Sequence, residues 1–307
     1  MKQKTMRQSS APKKTRVNRF FSLILLTFGA FLCSCSERIH VIPVDEGPGI
    51  PVKVRVATIE QVPFGSLTKA SALNEVCSRI TFCIYSGEGE KPDKIQKDQT
   101  VEAENFGSLD ILLEEGTYTL VVLAHNGDGN PTMTTPSKTT FNNKKTRKAT
   151  DTFLYCGEIS VHENMEPIEV DLERVAAKLE LNLTDQTIPE SIRKFQIEVV
   201  GTSQSLNVYT GLGLNSNKIT EVIDVRPDDR VFDMYMFVRE GHSTMNITVA
   251  AIDSLDQEYS KMTMENIPVA KNKITRCSGE MFRKKTYTAG MSVSVNDAWA
   301  GTVERTF

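Results

Sequence analysis

From residue 51 onwards apolar side chains recur at every second position, and no stretch longer than about two turns carries them at helical spacing. Residues 51–56 (PVKVRV) put Val52, Val54 and Val56 on one face and Lys53 and Arg55 on the other. Residues 78–86 put Ile80, Phe82 and Ile84 on one face. Residues 117–124 (TYTLVVLA) form a continuous apolar run, as expected of a central strand. Residues 176–183, 195–200, 231–238 and 246–252 repeat these signals. Turn formers lie between them, at 87–89 (GEG), 126–131 (NGDGNP), 226–229 (RPDD) and 253–256 (DSLD). Many short strands with turns at roughly ten-residue intervals bury their apolar faces by packing sheet on sheet, so the expected class is all-β.

The strand at 166–172 ends before Glu173-Arg174, and a fresh run starts at Val175. A border there divides the chain into residues 35–173 and 174–307, each of ordinary domain size. The polar, turn-rich stretch 126–150 is expected to be a long surface loop or frayed edge. Its basic residues Lys144, Lys145, Arg147 and Lys148 read as a solvated face.

The first 34 residues follow different rules. Seven basic residues and no acidic one precede the apolar run 20–32 (FFSLILLTFGAFL), which ends in Leu32-Cys33-Ser34-Cys35. A basic region, a short apolar core and a small residue before the cut describe an export signal. The run is shorter than the roughly 20 apolar residues of a membrane span. Leu32 and Ser34 before Cys35 resemble the lipobox of bacterial lipoproteins, which makes Cys35 the expected lipid-bearing N-terminus. Several acyl chains on one residue anchor stably where a single chain does not.

The leader holds seven of the 36 basic residues and none of the 39 acidic ones, so the remainder has a net charge of about −10. Phosphate backbones repel such a surface, and nucleic acid is not an expected partner. Cys77, Cys83, Cys156 and Cys277 are too few for a disulfide scaffold. Cys77 and Cys83 lie six apart along an extended strand, about 20 Å, and cannot pair with each other. The four read as small apolar residues or, in an oxidising envelope, as a source of one disulfide.

No constellation for catalysis or metal binding emerges. His40, His125, His162 and His242 share no ligand spacing. There is no GxSxG, and 211–216 (GLGLNS) lacks the third glycine and the helix of a phosphate loop. Asn126, Asp128 and Asn130 have the first spacings of a calcium loop, but Ser137 stands where that loop needs Glu. No catalytic residue, metal or cofactor is assigned.

Taken in order, the segments DTFLYCGEISV (151–161), VDLERVAAKLELNL (170–183), IPESI (188–192), NKITRCSGEMF (272–282) and SVSVNDAWAGTVERTF (292–307) resemble the fimbrillin superfamily of Bacteroidales, the lipoprotein subunits of type V pili. The resemblance implies two transthyretin-like β-sandwiches, export to the outer membrane and cell surface, and assembly into fimbriae by exchange of strands. It implies other fimbrial subunits as partners, the outer membrane through lipid, and host or bacterial surface receptors. Shaft members of the superfamily are cut after an Arg behind the first strand. Here the linker 63–76 (PFGSLTKASALNEV) contains only Lys69, which points to an anchor or accessory subunit that keeps its first strand, with Val52, Val54, Val56 and Ile59. A non-polymerising surface lipoprotein that binds glycan or host protein is the alternative.

At the other end, Met291, Val293 and Val295 alternate on one face, and Val303 and Phe307 follow. Strands at a terminus can close their own sandwich or complete a neighbour's. Trp299 reads as a packing anchor beside them. Asp253-Ser254-Leu255 resembles the O-glycosylation sequon of this bacterial phylum and lies at an expected hairpin turn, which makes Ser254 a candidate modification site.

Overall fold

The computed structural model describes residues 48–59, 73–87, 92–141, 149–215, 218–282, 292–296 and 303–305. The first half comprises β1 (Ile50–Ile59), a single helical turn α1 (Leu73–Val76), β2 (Arg79–Ser86), β3 (Asp93–Thr100), β4 (Ser108–Leu113), β5 (Gly116–His125), β6 (Pro131–Thr135), β7 (Lys138–Phe141), β8 (Thr152–Val161) and β9 (Ile168–Arg174). The second continues with β10 (Ala177–Leu183), β11 (Ile192–Val200), β12 (Thr202–Ser203), β13 (Ser205–Asn207), β14 (Leu212–Gly213), β15 (Ile219–Asp224) and β16 (Val231–Val238). It ends with β17 (Thr244–Asp253), β18 (Glu258–Pro268), β19 (Ile274–Gly279), β20 (Ser292–Asn296) and β21 (Val303–Arg305). The chain is all-β, as the alternation requires.

In the first half the strand order is β3-β2-β5-β8-β9-β1-β4. β8 and β9 share only the pairs Phe153↔Arg174 and Leu154↔Glu173, so the sheet folds over at that corner. Ile80, Phe82, Ile84, Leu120, Val122 and Phe153 on one layer then meet Val52, Val54, Leu109, Val170 and Leu172 on the other. The second half stacks β12-β16-β10-β19-β20-β21 on β15-β11-β17-β18. Its core runs from Leu179, Leu181 and Met234 to Phe195, Ile197, Ile247 and Val249.

A third cluster joins the halves. Cys83, Tyr85, Val121, Leu123 and Leu154 project from the back of β2, β5 and β8 and pack with Met133, Phe141, Leu206 and Phe237. This explains the unbroken apolar run of β5, which is buried on both faces. The expectation of a surface loop or frayed edge over 126–150 is thereby corrected: residues 131–141 form the hairpin β6–β7. Met133 and Phe141 are buried, and β7 pairs with β13 of the second half through Ser205↔Thr140 and Leu206↔Thr139. Sequence patterning hides the hairpin because it is rich in threonine and carries only Met133 and Phe141 as large apolar residues. Residues 142–148, with their basic cluster, lie outside the described residues. The turn formers of 211–216 lead into β14, which closes a short hairpin with β13. A Cβ on Gly213 would stand 2.6 Å from Ser203 Cβ and 2.8 Å from the Phe237 carbonyl, so only glycine fits there.

Candidate functional site

β1 lies between two neighbours of opposite direction. It is antiparallel to β4 from Ile50↔Leu113 to Arg55↔Ser108 and parallel to β9 from Val54↔Ile168 to Ile59↔Leu172. Val52 and Val54 are buried, Val56 is half-buried, and Lys53 and Arg55 face solvent, as their alternation demands. Ile59 has the wrong parity for that face and is nonetheless buried. The register with β9 shifts between Val56 and Thr58, and this irregularity turns Ile59 inward. Among the described residues β4 has no sheet neighbour other than β1. Taking β1 away would strip β4 from the sheet and leave β9 with an open edge, a slot ten residues long. Each fully buried valine or isoleucine in it stabilises by roughly 1.5–3 kcal/mol.

The second candidate lies at the C-terminus. β19 is parallel to β10, and β20 adds antiparallel to the free edge of β19, with Val293 opposite Cys277 and Val295 opposite Thr275. β21 follows, with Val303 opposite Val295. The backbone of this segment thus folds onto its own sheet. Met291, Trp299 and Phe307 lie outside the described residues, as does Cys35.

Ser254 is exposed at the tip of the β17–β18 hairpin. The Asp253 carboxylate shapes that tip by accepting the N–H groups of Leu255 (2.8 Å) and Gln257 (2.9 Å), an Asx turn. The Ser254 N–H donates to the Ser191 carbonyl at 2.9 Å, which leaves its side chain in solvent.

The remaining polar residues do structural work. Arg174 holds Asp151 through two bonds of 2.9 and 3.1 Å and lies over the Phe153 ring at 4.6 Å. Its side chain is 7% exposed. The sequence marks Glu173-Arg174 only as the place where one strand ends before a fresh run, and the buried pairing of Arg174 with Asp151 has no local signal. His125 is buried near Phe141, and its Nδ1 accepts the Gly127 N–H at 2.9 Å. Desolvation and the Arg79 charge push its pKa down to about 4. Asn126 and Asn130 turn their side-chain oxygens to the Ser78 N–H and the Arg79 guanidinium. All four described cysteines are free. Burial pushes the thiols of Cys77 and Cys277 up to about 12 and that of Cys156 to about 11. Thiols so protonated are poor nucleophiles. Among the described residues no group of three metal-ligating side chains gathers, and no helix is long and apolar enough to cross a membrane.

The model of a family described as Family of unknown function (DUF6562) matches residues 52–306. No curated protein matches the chain. Among solved structures, a candidate adhesin from Bacteroides ovatus superposes with a TM-score of 0.53 at 10% identity, covering 85% of this chain and 97% of that one. A candidate polysaccharide-binding protein (DUF1812) from Bacteroides thetaiotaomicron gives a TM-score of 0.51 at 9% identity, over 84% and 98%. A further candidate adhesin, from Bacteroides thetaiotaomicron, gives 0.50 at 13% identity, over 85% and 99%. At these identities the likeness is one of fold alone, and it agrees with the all-β class expected from the sequence.

Proposed function

We propose, from the premise that the chain belongs to the Family of unknown function (DUF6562), that it is a non-enzymatic structural or adhesive subunit of a cell-surface fimbria. Cys35 carries the lipid that ties it to the outer membrane. Residues 35–173 and 174–307 act as its two sandwich units. Subunits of such a fibre join by exchanging strands: removal of β1 would open its slot to an incoming strand, and the C-terminal strands, which contain Met291, Val293, Val295, Val303 and Phe307, would join subunits in a shaft or tip role and stay folded back in an anchor. The observation that carries this reading is the seat of β1: among the described residues it is the strand that holds β4 on the sheet, and thirteen residues separate it from α1. That linker contains no Arg, which favours an anchor or accessory subunit that keeps β1 in place.

N-terminal sequencing and mass spectrometry of the protein from purified fimbriae test the reading. A lipidated Cys35 at the terminus supports an anchor. A terminus between residues 57 and 80 would show that β1 is removed and make the chain a polymerising or tip subunit. Deleting residues 288–307 is expected to abolish entry into fibres while the first half stays folded; normal fibres would defeat the role given to those strands. A second reading, a non-polymerising surface protein that binds glycan, is favoured by the likeness to a candidate polysaccharide-binding protein. Ser254 is proposed to carry an O-linked glycan, and a native Ser254 peptide of unmodified mass would rule that out.

A further inference from the structure

We propose that the cleft where the two halves meet, beside β9, is a binding site for a neutral saccharide of one or two rings. It deepens the adhesive reading above and rests on it only in placing the cleft at the cell surface. The cleft has a volume of about 300 Å³, at the lower end for ligand pockets. Leu154 and Cys156 contribute from β8, Asp171 and Glu173 from β9, and Tyr209 and Lys271 from two turns of the second half.

Tyr209 is 60% exposed, although the turn that presents it is fixed from several sides. Its N–H donates to Asn207 Oδ1 at 3.0 Å. The Gly211 N–H donates to the Asn207 carbonyl and the Val208 N–H to the Pro136 carbonyl, both at 2.9 Å. Gly211 has a φ of +66°, and a Cβ there would approach Val175 Cγ1 to 3.1 Å, so glycine seats the turn against the junction. An aromatic ring left in solvent on a fixed backbone offers a large contact surface with little side-chain entropy to lose.

The polar groups are of both kinds. Lys271 Nζ stands 3.9 Å from Glu173 Oε2, linking one half to the other. That distance is too long for a hydrogen bond, so the ammonium keeps donors and the carboxylate keeps acceptors for a ligand. Asp171 receives the Thr58 hydroxyl at 2.6 Å, which orients its carboxylate and leaves lone pairs unused. A polyhydroxyl ring with one apolar face uses all three features at once: donors, acceptors and an aromatic surface. A basic peptide would meet Lys271, and an anion would meet two carboxylates.

The purified chain is applied to a printed array of neutral oligosaccharides of hexoses and N-acetylhexosamines. The affinity of each hit is then measured by calorimetry for the parent, Tyr209→Ala and Glu173→Gln. At least one saccharide should bind, and each substitution should weaken it by at least about tenfold with unchanged thermal melting. No hit, a hit that neither substitution weakens, or binding only to Lys/Arg-rich peptides on a parallel array would overturn the proposal. Fibre incorporation of the same two variants is scored separately and should equal that of the parent. Loss of incorporation in either variant would count against the assembly reading, which routes joining through β1 and the C-terminal strands; the binding measurement alone decides the saccharide.

Discussion

β1 and β10 open the two halves in the same way. Each lies between a parallel partner late in its own half (β9 and β19) and an antiparallel one (β4 and β16). They differ in how they are tied. β10 follows β9 after only Val175 and Ala176, both buried, so it cannot leave without taking the junction apart. β1 continues into a linker of more than ten residues before α1. The same pairing geometry therefore sits behind a two-residue connection in one half and ahead of a thirteen-residue one in the other, and the strand exchange we propose would use that difference.

The largest expected effect comes from cutting the chain within 60–72 and removing β1. With Val52, Val54 and Ile59 gone, the first half should lose on the order of 5 kcal/mol or more and open by hydrogen exchange, while the second half keeps its protection. A synthetic peptide Ile50–Ile59 added in trans should restore that protection. A chain carrying Leu179→Asp in β10 should not be rescued by a peptide Ala177–Leu183. Failure of the first rescue, or success of the second, breaks the comparison.

Asp151→Ala comes next. It removes the carboxylate that pairs with the buried Arg174 guanidinium at the start of the β9–β10 link, and about 3 kcal/mol should be lost in denaturant melts. An effect below about 1 kcal/mol, the range of surface pairs, would show that the junction does not fix β10.

Acid should separate the halves as well. His125 sits in β5 with a folded pKa of about 4, below its ordinary 6.5, near Arg79 and Asp98. The neutral ring is the folded form, so the contribution is fully present above pH 6.5 and declines as pH falls towards 4. About 3 kcal/mol is lost over that window. Hydrogen exchange between pH 7 and 4 should show the first half weakening ahead of the second, with the slope gone in His125→Leu.

The smallest effect belongs to the hairpin tip. Ser254→Ala should shift stability by less than about 0.5 kcal/mol while removing any glycan mass from that peptide.

Much of this was legible beforehand. The alternation of Val52, Val54 and Val56 gave β1, and the apolar run of β5 marked a central strand. The unread parts depended on partners far away in the chain. Ile59 needed the register shift against β9 to turn inward. β3 (DKIQKDQT) is an exposed edge and carries no apolar rhythm. Thr139 and Thr140 look like loop residues until Ser205 and Leu206 pair with them. The cleft draws on Leu154, Asp171, Tyr209 and Lys271, which no local spacing connects.

The pairing of β7 with β13 also orders events in time. Residues 138–141 cannot complete their ladder until residues 205–207 have been made, so the first half waits with an open edge and an uncovered Phe141. Such distant pairing slows folding and leaves sticky intermediates. The β6–β7 hairpin is thus the part of the first half that stays exposed longest, until its second-half partner arrives.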